Sequence, residues 1–97
     1  MALMRLTPQH IETIKGTAAQ FWGADAGVVV FGSRLHDEQR GGDLDLYIET
    51  PQPDLLQTIR CKVMLQDALD MPVDLVVKPI GDQSPISKIA KTEGVRL

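Results

Sequence analysis

One cysteine, Cys61, is all the thiol chemistry this chain of 97 residues carries, so no internal disulfide can staple it. Its place in an apolar-periodic stretch marks it as a small buried hydrophobe and points toward a reducing compartment. No apolar run approaches the roughly 18 residues of a membrane span, and Met1-Ala2-Leu3-Met4-Arg5-Leu6 lacks the basic start and long apolar core of a secretion signal. The expectation is a soluble, cytoplasmic protein. Basic residues are also in short supply, with 10 lysines and arginines against 13 acids and a net charge of −3. That balance disfavours an autonomous nucleic-acid binder. Aromatics fall to 4%, while 43% hydrophobic and 24% charged residues are ordinary for a globular chain and exclude a disordered or collagen-like one.

What is present predicts one compact domain over residues 1–97. Thr7-Pro8 opens a first helix, carried by Ile11, Ile14, Ala18 and Phe21 to about Trp22. Gly23 stops it, and Gly27-Val28-Val29-Val30-Phe31 reads as a strand covered on both faces. After a polar segment, Leu44-Asp45-Leu46-Tyr47-Ile48 alternates as a second strand. Leu55, Leu56, Ile59, Val63 and Leu69 mark a second helix from about Asp54 to Leu69, its aliphatic residues and Met64 expected in the core, with a stripe left exposed for a partner as the alternative. Val73 to Val77 forms a third strand, and a short helix near Ile86 to Thr92 follows. This order suits an α+β (mixed α/β) fold, a small mixed sheet packed against helices.

Residues two apart on a strand share a face, so Asp43 and Asp45 project together while Leu44, Leu46 and Ile48 point to the core. Two carboxylates side by side repel unless a cation lies between them, and oxygen donors suit Mg²⁺, which also binds substrate phosphates. Asp74 sits in an otherwise apolar strand and needs a surface position or a compensating partner. If its strand lies beside the second, three carboxylates can hold two ions about 4 Å apart for an in-line displacement at phosphorus. Gly32-Ser33, at the end of a buried strand, offers a close backbone approach, amides and a hydroxyl to a phosphate. Arg34 and Arg40 are the nearby cations. Taken singly, Gly32-Ser33 reads as a turn and the paired aspartates as a solvent face; their joint order with Asp74 favours a nucleotide and metal site. His10 and His36 have no metal-spaced partner, and Tyr47 and Glu49 share the aspartates' face as its rim.

Gly32-Ser33-Arg34, eight intervening residues and Asp43-Leu44-Asp45-Leu46 resemble the signature of the DNA polymerase β-like nucleotidyltransferase superfamily, with its minimal nucleotidyltransferase (MNT) family as the best fit. The resemblance spans roughly Gly27 to Val77. It departs at Gly42, where many members carry serine, and at Leu35-His36-Asp37, where Ala-Arg-Gly is common. It implies that Asp43 and Asp45 ligate two Mg²⁺ ions, that Asp74 completes the catalytic metal site and helps activate the acceptor hydroxyl, and that Gly32 and Ser33 hold the triphosphate of ATP. Small members are typically encoded beside a helical HEPN-domain protein, and several are antitoxins that adenylylate a HEPN ribonuclease. The resemblance thus implies AMP transfer from ATP to a hydroxyl of a HEPN partner. A non-catalytic module that neutralises its partner by occlusion, and transfer to a small molecule, are the alternatives.

Overall fold

The computed structural model describes residues 6–24, 26–31 and 44–97. Along them run α1 (Pro8–Trp22), β1 (Gly27–Phe31), β2 (Leu44–Thr50), α2 (Leu55–Leu69), β3 (Val73–Pro79), α3 (Pro85–Glu93) and β4 (Val95–Arg96). The expected order holds; β2 and β3 run on to Thr50 and Pro79, and β4 is an addition too short for a pattern to announce. The Thr7 hydroxyl accepts the His10 N–H at 3.0 Å, while the Thr7 N–H donates to His10 Nδ1 at 3.3 Å. His10 is therefore half of a reciprocal cap that satisfies two otherwise orphaned donors. Asp54 caps α2 by accepting the Gln57 N–H at 3.2 Å, and the helix ends at Asp70 in the left-handed region, φ 54°.

The four strands form one sheet in the order β3-β2-β1-β4. β1 is antiparallel to both neighbours, and β2 and β3 are parallel. Parallel neighbours need a crossover connection, and α2 supplies it. Alternation then sorts side chains between two layers. Val28, Val30, Leu44, Leu46, Ile48, Val73 and Leu75 face α1 and α2, packing with Ile14, Ala18, Cys61, Leu65 and Leu69. Phe31 and Tyr47 face the opposite way and pack with Ala90 of α3. Cys61 is fully buried, and burial pushes its thiol up to about 11, as befits a packing residue.

One expectation is corrected. Leu55, Leu56, Ile59, Val63 and Met64 are 77, 56, 50, 51 and 41% exposed rather than core. A helix can turn one side toward a sheet, and Cys61, Leu65 and Leu69, four residues apart, occupy that side of α2. Among the described residues no layer covers the other side. Among the described residues no helix is long and apolar enough to cross a membrane.

Candidate active site

Asp45 on β2 and Asp74 on β3 are direct register partners across the parallel pair. Their neighbours Leu44, Leu46, Val73 and Leu75 are all in the core on the α1 and α2 side. Both aspartates therefore emerge on the α3 side, from strands about 4.8 Å apart. Asp45 is half-buried and Asp74 exposed. Phe31, the last residue of β1, pairs with Asp45 from the other side, so one row across the sheet reads Phe31, Asp45, Asp74.

The next row is built differently. Tyr47 is 1% exposed beneath α3, and its hydroxyl lies 2.6 Å from both Glu49 Oε2, to which it donates, and Ser87 Oγ. Asp82 accepts hydrogen bonds from the Ser84 and Ser87 hydroxyls. Lys91 Nζ lies 2.5 Å from Glu49 Oε2, and the Gly81 N–H donates to Glu49 Oε1 at 3.3 Å. Burial and the Glu49 contact push the Tyr47 hydroxyl up to about 12. The Ser84 and Ser87 hydroxyls hold Asp82 down at about 2. For Glu49, burial acts upward, but Lys91 and Tyr47 outweigh it and the carboxyl lies below its ordinary value. The network ties β2 to α3 and to the turn before it, fixing α3 beside the aspartate row. Tyr47 and Glu49 do share the aspartates' face, as alternation required. Asp82, Ser84, Ser87 and Lys91 were not legible, since only the return of α3 over the sheet brings them to Tyr47.

Of the residues expected in the site, Asp45 and Asp74 are brought together. Gly32, Ser33, Arg34, Arg40 and Asp43 lie outside the described residues, as does His36. The carboxylates on neighbouring strands form a hard oxygen donor set, which fits Mg²⁺, and their like charges favour a shared cation. Among the described residues no group of three or more histidines, cysteines and acids is poised for a metal.

The nucleotidyltransferase domain model matches residues 11–97. Among solved structures, the chain is similar to one in the complex of tri-AMPylated Shewanella oneidensis HEPN toxin with MNT antitoxin. The TM-score is 0.71 and the identity 19%, over 91% of this chain and 68% of that one. A second crystal structure from Shewanella oneidensis matches with a TM-score of 0.69 and 18% identity, covering 94% and 71% of the two chains. At such identities the likeness is one of fold. No curated relative matches the chain.

Proposed function

This chain belongs to the nucleotidyltransferase domain family, and from that premise we propose that it moves AMP from magnesium-bound ATP to a hydroxyl of a HEPN-domain protein, acting as an antitoxin in the cytoplasm. The observation that carries the reading is the register pairing of Asp45 with Asp74 on the face flanked by α3. In this reading residues 1–97 work as one minimal domain. Gly32 and Ser33 cradle the triphosphate, and Arg34 and Arg40 balance its charge. Asp43, Asp45 and Asp74 hold two Mg²⁺ ions, which when bound supply positive charge at the phosphate oxygens. The acceptor oxygen bonds to the α-phosphorus, the bond to the bridging oxygen breaks, and pyrophosphate leaves. Asp74 takes the hydroxyl proton, directly or through water.

The HEPN acceptor is supported by the fold shared with the Shewanella oneidensis complex, whose toxin is AMPylated. The test is intact-mass spectrometry of a HEPN-domain protein, sought beside this chain's gene as the resemblance implies, after incubation with this chain, ATP and Mg²⁺. A gain of one or more AMP units, abolished by Asp45→Ala, is expected; an unmodified partner sinks the reading. The uncovered side of α2 favours a second reading, neutralisation by binding alone. It predicts that Asp45→Ala still neutralises the partner with which it forms a complex.

A further inference from the structure

Resting on the reading that this chain works on a helical protein partner, we propose that α2 is its docking element. Its outer stripe of Leu55, Leu56, Ile59 and Val63 would insert into an apolar groove between two helices of that partner. Leu56, Ile59 and Val63 follow the i, i+3, i+7 spacing of anchors that lie in a groove, and Leu55 lies one turn before Ile59. All four are at least half exposed, although a lone domain gains nothing by presenting a continuous aliphatic line to water. Arg60 and Asp67 border the stripe on one edge and Lys62 on the other, the polar rim of an interface centre.

Area and charge choose the occupant. α2 has 15 residues, so the stripe is about 22 Å long and about 10 Å wide. Against one helix of a second copy it covers a few hundred Å², well short of the roughly 800 Å² per partner of a stable interface. The antiparallel pairing that sets Leu56 against Val63 of the other copy also brings the two Arg60 side chains together at the twofold axis. A groove of two helices instead wraps both edges and engages the rim charges. Because α2 packs on the sheet face opposite Asp45 and Asp74, docking there leaves the catalytic face open.

The test uses the full chain, the same HEPN-domain protein, and Ile59→Glu, Val63→Glu and Leu55→Glu variants. Ile80→Glu, exposed but off the stripe, is the control. Complex formation is followed by light scattering and calorimetry, ATP binding by calorimetry, and modification by intact mass. Expected are a loss of at least about 30-fold in partner affinity for the stripe variants, unchanged ATP affinity, and a control like the parent. Leu55→Glu, in the most exposed position, decides the matter if the others fail to fold. A complex unaffected by these changes overturns the docking even if AMP transfer proceeds. So does a parent chain that forms no complex, or one that self-associates through the stripe. A complex that depends on α2 but shows no mass gain upholds the docking and overturns the transfer reading.

Discussion

Asp45 and Asp74 stand directly opposite each other on parallel strands, two carboxylates on one face of the sheet. They are 29 residues apart in the chain, and the α2 crossover is what makes them neighbours. Like charges on neighbouring strands repel, and a cation bound between them would offset that repulsion by attracting both.

Asp74→Asn should therefore leave metal-free stability unchanged or slightly raised, because it removes a like charge from an exposed position. AMP transfer should fall at least about 100-fold, the scale of a lost general base. Melting curves and single-turnover rates on one preparation check both. Retention of most of the activity would remove Asp74 from the mechanism.

Added Mg²⁺ with ATP should raise the melting temperature of the parent, by an amount worth about 2.7 kcal/mol at a hundredfold excess over Kd. Chelation should reverse it, and in Asp45→Asn the shift should shrink toward zero. An equal shift in that variant would place the cation elsewhere.

Gly94 ends α3 where the chain passes close to β1. A Cβ there would lie 2.8 Å from the Val30 carbonyl oxygen and collide with the Ala90 oxygen and Val29 Cγ1. Gly94→Ala should cost about 2 kcal/mol by overpacking, lowering Tm by roughly 10 °C in a domain of this size. The positive-φ Gly23, with open space around it, is strained by a side chain without such a collision. Gly94→Ala melting at the parent temperature would contradict the close approach.

Stability should fall at both ends of the pH scale. Tyr47 is raised from 10.0 to about 12 in the fold, so its contribution is fully present below pH 10 and is lost as pH rises toward 12. Cys61 adds a similar loss from pH 9 to about 11. Asp82 is lowered from 3.8 to about 2, so its contribution, present above pH 4, disappears as pH falls through that window. Tm profiles of Tyr47→Phe and Asp82→Asn should be shallower on the alkaline and acid sides in turn, with the Cys61 share of the alkaline loss and the Glu49 share of the acid loss remaining. A Tyr47→Phe profile as steep as the parent's above pH 10 would assign the alkaline loss elsewhere.

Local chemistry made most of the fold legible in the sequence. The cap at Thr7, the glycine stop at Gly23, and the period-two and period-3.6 patterns depend on near neighbours alone, and they set the elements almost to the residue. Alternation likewise put Asp45, Tyr47 and Glu49 on one face before any pairing was known. Strand order was beyond it. The partnership of Asp45 with Asp74 exists because α2 carries the chain over to a parallel neighbour, and the Tyr47 network exists because α3 folds back across the sheet. The apolar pattern of α2 promised a core helix and delivered half of one: hydrophobicity records that a side chain avoids water, while the tertiary arrangement decides whether anything covers it.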